Sequence, residues 1–504
     1  MRMSWVLGLL LSSILAQAAR ADTLETIRAR GQLIWGGDSE GGGPYVYPDP
    51  ADPRRMAGFE AELADSLAAA LGVRAQFFQG PWQNLPALLE TGQIDIVLNG
   101  YELTPARAGR MEHTRPYYIY QLALLGRRDN PRLKSWDDLK RHAAGEPKLT
   151  IGVLEASGAH AYLNEHFSDD VEIVVYEGTT DAMREVETGK LDATLADLPA
   201  ATFYRDRFAG LVTVGDRVGR GYYVIFLRRG DAALREALDA ALAKLLTGGG
   251  LQRLYEKYDL WTDSQQELTA LAGRNDEELG IRATELRGWA AIRSRGRLLL
   301  EAAGMTIFLA GASMPLAMAL GLVVALGRMF GPAPLRWALV AYIEILRGTP
   351  LMLQLFVIFF LLPEIGLAIP AVCAAIAGLA INYSAYEAEI YRAGLQAVPR
   401  GQMEAALALG MSPALALRRI IIPQACRIVI PPVTNDFIAM FKDTSVCSVI
   451  TVMELTKQYS VQRNDTGATL ELAALTALLY LLMSIPLARL ASLLETRLAR
   501  PPKH

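Results

Sequence analysis

The sequence predicts a two-part chain: a bilobed α/β unit with mainly parallel strands, followed by an all-α unit of five membrane-crossing helices. Three observations lead there. Strand-like and helix-like patterns alternate up to about residue 262. Apolar runs long enough to cross a bilayer recur across residues 298–492. And 504 residues are too many for one ordinary domain, so the 52% hydrophobic content averages two unlike halves.

The chain begins with Arg2, an apolar run from Val6 to Leu15, and Ala19-Arg20-Ala21 before Asp22. That layout reads as a secretory signal peptide over 1–21, with an uncleaved anchor as the alternative; both export the segment after Asp22. Lys and Arg number 50 against 53 acidic residues, a net charge of −3, and no basic tract points to nucleic acid. The three cysteines, Cys373, Cys426 and Cys447, fit neither a zinc site nor a disulfide framework.

In the first unit, 22–262, residues 32–36 read as a strand, 58–71 as an amphipathic helix and 95–98 as a strand. A second series of strands lies at 149–153, 171–176 and 191–196. The apolar segments 121–125 and 222–227 bracket this series, and we read them as hinge strands between two lobes. Lobe 1 then covers 22–120 and 228–262, and lobe 2 covers 127–220. In such folds a ligand sits at strand carboxyl ends, in the crevice between lobes. Residues 263–296 carry many charges and few large apolar side chains, as suits a linker.

Membrane spans are expected near 299–326, 336–362, 367–387, 431–451 and 469–492, within a unit covering 297–495. Arg347-Gly348-Thr349-Pro350 interrupts the second. Loop 388–427 holds Arg392, Arg400, Arg418, Arg419 and Arg427, whereas 363–370 has no Lys or Arg. With the first unit outside, this places the C-terminus inside; Arg293 to Arg297 break the trend. Between spans lies 399–425, PRGQMEAALALGMSPALALRRIIIPQA. Its helix formers, cut by Gly410 and Ser412-Pro413, predict two short helices at an angle with an apolar side for a partner.

Residues 30–262 resemble the polar-amino-acid family of periplasmic solute-binding proteins, on GFEAELADSLAAALGV (58–73), LTPARAGRMEHTRPYY (103–118) and LAKLLTGGGLQRLYEKYDLW (242–261). Residues 296–492 resemble the amino-acid branch of ABC importer permeases. The matching stretches are Gly304-Met305-Thr306-Ile307, Arg347-Gly348-Thr349-Pro350-Leu351, Asn382-Tyr383-Ser384-Ala385-Tyr386, Lys442-Asp443-Thr444-Ser445 and the 399–425 segment. Within that segment Gly401, Glu404, Ala405, Ala406 and Gly410 match the ATPase-coupling loop, and Ile422 replaces the usual Leu.

These resemblances imply a type II periplasmic-binding-protein fold fused to an inner-membrane permease that forms a dimer. No G-x-x-x-x-G-K-[ST] loop occurs, so ATP and Mg are expected on a separate ATP-binding subunit present in two copies. The chain itself is then expected to hold no cofactor or metal and to be no enzyme. A ligand-gated channel or receptor, and a periplasmic dehydratase-like enzyme, are the other functions known on the binding fold.

An amino acid needs a cationic fork for its carboxylate and an anion for its ammonium. Arg107, in Thr104-Pro105-Ala106-Arg107, matches the family's carboxylate-binding arginine, and Asp197 its ammonium-binding acid. Ser157 would add a hydroxyl at a helix N-terminus. Trp82 matches a stacking aromatic, and Tyr45, Asp38 and Thr104 complete the expected ligand set. Glu102 stands where Ser or Thr is usual. Either it faces solvent, or it lines the cleft with Asp38 or Glu40 and favours a cationic side chain such as Arg, Lys or an opine. In the second unit Glu344, Arg347, Glu387, Glu389, Lys442 and Asp443 lie within or beside apolar runs.

Overall fold

A computed structural model describes residues 23–498, apart from 41, 141–146, 272, 275, 282–286, 366 and 368. The expected signal peptide lies outside the described residues. The chain divides into two compact units, residues 1–285 and 286–504.

Among its described residues the first unit holds two large sheets and a two-stranded one, Tyr47–Pro48 paired with Met56–Ala57. The first large sheet contains β1 (Gln32–Gly37), β2 (Arg74–Gln79), β3 (Ile96–Val97), β4 (Glu112–His113) and β11 (Phe226–Leu227), in the order β2-β1-β3-β11-β4. Its β2, β1 and β3 run parallel. Helix α1 (Phe59–Leu71) covers this sheet with Phe59, Leu63, Leu67 and Leu71 at helical spacing, and ends at Gly72, whose φ of +79° needs no Cβ clearance.

The second sheet contains β5 (Tyr118–Arg127), β6 (Leu149–Leu154), β7 (Val171–Tyr176), β8 (Ala193–Asp197), β9 (Leu211–Thr213) and β10 (Val218–Tyr223). Its order is β9-β5-β8-β6-β7, with β10 paired to β5 beyond β9. Parallel pairing joins β8, β6 and β7, whereas β5 is antiparallel to β8. Three short helices flank these strands: α2 (Pro105–Arg110) precedes β4, α3 (Gly158–His166) comes after β6, and α4 (Leu198–Phe203) comes after β8.

This topology moves the hinge. Segment 121–125 lies inside β5, nearly all buried, because its apolar residues fill both faces of a central strand. The chain passes between sheets at 114–117 and 223–225 instead, where Thr114 N donates to Ile225 O and Tyr117 N to Tyr223 O, each at 3.0 Å. The proposed second hinge, 222–227, is split: Tyr222 and Tyr223 pair with β5, and β11 pairs with β3.

The expected linker also folds differently. Residues 263–271 pack on the binding unit: Gln265 exchanges two hydrogen bonds with the backbone of Ile119, 2.7 and 3.0 Å, and Leu268 and Leu271 are buried. Glu267 pairs with Arg220 at 2.7 Å and Asp276 with His113 at 3.1 Å. A few apolar anchors and one amide matching a strand's edge are enough to dock a charged segment.

The second unit is helical. A 43-residue helix α5 (Gly288–Phe330) opens it and takes in 288–296 of the expected linker. Helix α6 (Ala333–Gly348) and the helical run 351–361 meet at 109°, broken at Thr349-Pro350 as the sequence suggests. Helix α7 (Ala371–Ala397) packs along α5, where Gly321 allows the backbones to close: an added Cβ would lie 2.6 Å from Glu387 Cβ and 2.9 Å from Ser384 O. Helices α8 (Arg400–Ala408), α9 (Ile422–Asp443), α10 (Leu455–Thr466) and α11 (Thr469–Leu498) complete the unit.

Among the described residues two helices are long and apolar enough to cross a membrane, Gly288–Phe330 and Thr469–Arg489, or three if the bent pair is one span. The expected span 367–387 falls largely on α7, and 431–451 on the end of α9 and a 3-10 turn, Thr444–Ile450, after it; these segments bring polar groups inward. Asn382, Ser384 and Glu387 are buried, Asn382 donates to Gln354 at 3.1 Å, and Tyr383 donates to Asp443 at 2.7 Å. A helix shielded by its neighbours can carry such groups, which lipid would exclude.

Candidate functional site

A cleft lies between the two large sheets of the first unit, lined by Asp38, Glu40, Tyr45, Trp82, Glu102 and Asp197, with Ser157 beside them. Asp38 comes just after the carboxyl end of β1, and Asp197 ends β8. Both therefore stand where strand ends open a crevice.

Arg107 sits in α2, capped by Thr104, whose hydroxyl accepts from Arg107 N at 3.4 Å. Thr104 thus serves the helix start. The guanidinium turns back toward Glu102: Nη1 donates to Glu102 Oε2 at 2.6 Å and to Glu102 O at 3.0 Å, and Nη2 donates to Ala156 O at 2.8 Å. It also lies over the rings of Tyr101 and Trp82, 4.6 and 5.0 Å from their centroids.

Glu102 does not face solvent. Its side chain is 1% exposed, and Oε1 accepts from the backbone N–H of Gly158 at 2.8 Å. Gly158 is the first residue of α3, whose cap is Ser157, accepting from His160 N at 3.2 Å. One carboxylate therefore receives a guanidinium from the first lobe and a helix-terminal amide from the second.

Asp197 precedes α4 but makes no side-chain cap bond; it accepts from the Tyr223 hydroxyl. Tyr223 is buried between Tyr118 and Tyr120, both stacked on it. Burial, and then the charge of Glu102, hold the Asp197 carboxyl well above the usual carboxylate range. Asp38 arranges the opposite rim: Oδ2 accepts from Trp82 N at 2.9 Å, and Oδ1 from Gln79 Nε2 at 2.9 Å and Glu40 N at 3.0 Å. Trp82 stacks on Tyr101 with centroids 4.4 Å apart and donates Nε1 to Asn99 O at 2.9 Å.

Three residues escaped the sequence reading. Gly158 could have been found from the Ser-Gly pair at a strand-to-helix turn. Tyr223 belongs to an aromatic run whose facing depends on the crossing geometry. Glu60 lies three, four and seven residues before Leu63, Ala64 and Leu67, an acid on the buried face of α1. It accepts from Gly100 N at 2.8 Å and from the Tyr117 hydroxyl, and burial pushes its carboxyl up to about 8. Among the described residues no group of His, Cys, Asp and Glu is arranged to hold a metal.

In the second unit Gly401, Glu404, Ala405 and Gly410 are exposed, and Ala406 is buried. The Ser412-Pro413 pair starts a new helix, with Ser412 accepting from Leu415 N. That helix does not stop near 425; it is helical without interruption from 413 to 443, so the second arm of the expected pair is the start of a long rod. Leu407, Leu409 and Leu415 form exposed apolar positions nearby. Glu389 pairs with Arg328 and, at 2.6 Å, with Arg392, and Arg347 lies over the Tyr386 ring.

Comparison with known proteins gives two family matches: bacterial extracellular solute-binding proteins, family 3, over residues 37–260, and the binding-protein-dependent transport system inner membrane component over 317–500. The L-cystine transport system permease protein TcyB of Bacillus subtilis (strain 168) is 39% identical over 36% of this chain and 79% of its own length. The glutamine transport system permease protein GlnP of Escherichia coli (strain K12) is 35% identical over 42% of this chain and 97% of its own. Among solved structures, an amino acid ABC transporter with histidines is 38% identical over 42% of this chain and 98% of that chain, with a TM-score of 0.40. The membrane-component match favours neither a receptor nor a dehydratase-like enzyme. With its solute-binding unit and its membrane unit on one polypeptide, the chain belongs to the amino-acid ABC transporter permease family.

Proposed function

We propose that this transport subunit captures a cationic amino acid in its extracytoplasmic cleft and delivers it to its own membrane unit. The observation that carries the cationic preference is the sign of the cleft. Asp38, Glu40, Glu177 and Asp197 line it, while Glu102 and Arg107 cancel one another in their ion pair. Such a lining attracts ammonium or guanidinium groups and repels acidic side chains. Asp197 takes the α-ammonium, and Trp82 offers an aromatic edge to the aliphatic stem.

Two copies of the membrane unit form the pathway, with the C-terminus in the cytoplasm. Two copies of a separate ATP-binding subunit supply the energy, and ATP and Mg reside there. Glu404 and the exposed leucines near it dock on that subunit, so that its closure moves 399–425 as a body. The test is uptake by vesicles containing the chain and its ATPase. Arginine or lysine should compete for uptake and glutamate should not; selective uptake of glutamate overturns the cationic reading.

A further inference from the structure

Arg107 and the N–H of Gly158 converge on one point between the lobes, and together they form a seat for a single carboxylate. The seat is occupied by the chain itself. Glu102 Oε2 lies 2.6 Å from Arg107 Nη1 and Oε1 lies 2.8 Å from Gly158 N, so both oxygens are used. At Gly158 it is Tyr120 that excludes a larger residue: an added Cβ would stand 2.5 Å from the Tyr120 hydroxyl, and at an ordinary 3.5 Å from Glu102 Oε1.

We infer that Glu102 is a specificity-determining residue, a tethered carboxylate that fills the seat a ligand's α-carboxylate would otherwise take. This deepens the reading of a cationic ligand and rests on it. An amino acid that brings its own carboxylate to Arg107 has to expel Glu102, breaking a buried ion pair before it makes the equivalent one. A cation of the same length without a free carboxylate leaves the pair intact. The cleft consequently ranks its ligands by their cationic groups and gives little advantage to an α-carboxylate.

The test compares arginine with agmatine, and lysine with cadaverine, by calorimetry on the full chain in detergent, with glutamine as a neutral amino acid. In the natural chain each amine should bind within about threefold of its parent amino acid. Glu102→Ser should strengthen arginine and lysine by about tenfold or more and leave agmatine and cadaverine nearly unchanged. If Glu102→Ser does not fold, Glu102→Gln, which keeps the shape and removes the charge, should move the same ratio in the same direction.

An arginine-to-agmatine ratio that is already tenfold or more in the natural chain and unchanged in the variant overturns the inference. So does a parallel loss of both ligands, as expected if Glu102 held a ligand cation. Should glutamine bind the natural chain and the cations not, the cationic reading fails separately. The role of Glu102 is then read from glutamine alone: strengthening in the variant supports it, and no change overturns it.

Discussion

The hydroxyls of Tyr45 and Tyr223 lie 2.9 Å apart, and Tyr223 in turn donates to Asp197. The two hydroxyls and the Asp197 carboxyl form one buried hydrogen-bonded cluster. A relay thus runs from a loop of the first lobe to the acid at the end of β8 in the second. Asp197→Asn should weaken ligand binding by about tenfold or more, since in the proposed site this carboxyl ionises against the ligand's ammonium. Tyr45→Phe, which leaves the Tyr223 bond in place, should cost much less. Titration calorimetry on the full chain checks both.

Arg107→Ala should strand Glu102 as a buried carboxylate without its cation. Both side chains are nearly inaccessible, 9% and 1% exposed. Removing one partner of such a pair costs about 3–5 kcal/mol. Urea unfolding monitored by tryptophan fluorescence should register that loss, and Arg107→Leu combined with Glu102→Leu should recover most of it.

The binding unit should lose stability with rising pH through Glu60. Its carboxyl is raised from 4.5 to about 8, so the folded state holds its proton more tightly than the unfolded chain does. That contribution is complete below about pH 4.5 and is lost as the pH climbs through about 8. Glu60→Gln should flatten this part of the profile, measured as unfolding midpoints across the same range.

Glu404→Lys and Gly410→Pro should abolish ATP-driven uptake while the cleft still binds its ligand. Gly410 holds φ at +78° with nothing within 4 Å of an added Cβ, so its need is conformational alone. Gly410→Ala should therefore be milder, costing about 1–2 kcal/mol. Uptake and ligand binding measured in parallel on the same membranes separate the two effects.

Gly321→Ala should weaken the contact between α5 and α7, because the new methyl meets backbone as well as side chain. Overpacking of this kind costs about 1–3 kcal/mol. A reduced thermal midpoint of the detergent-purified chain, at unchanged ligand affinity, is the expected result.

Local pattern made much of the fold legible. The strands at 149–154 and 171–176 and the helix at 59–71 come from alternation and helical spacing, and the break near Thr349-Pro350 from proline chemistry. What escaped depends on partners distant in sequence. Whether 121–125 crosses between lobes or lies within one sheet is decided by its pairing with 193–197, not by its own residues. The docking of 263–271 needs Gln265 to meet the Ile119 backbone, 146 positions away. Glu102 presented two possible orientations in the sequence. Gly158, 56 residues further on, selects the inward one.

The helical run from Pro413 to Asp443 has no loop in it. At about 1.5 Å per residue it is a strut of roughly 45 Å. A push at its start meets no loop before the far end, where Asp443 holds Tyr383. Pro431 and Pro432, inside the helix, remove two amide donors and set a flexible joint partway along. Stiffness below that joint and compliance at it would turn a push at one end into a change of angle at the other.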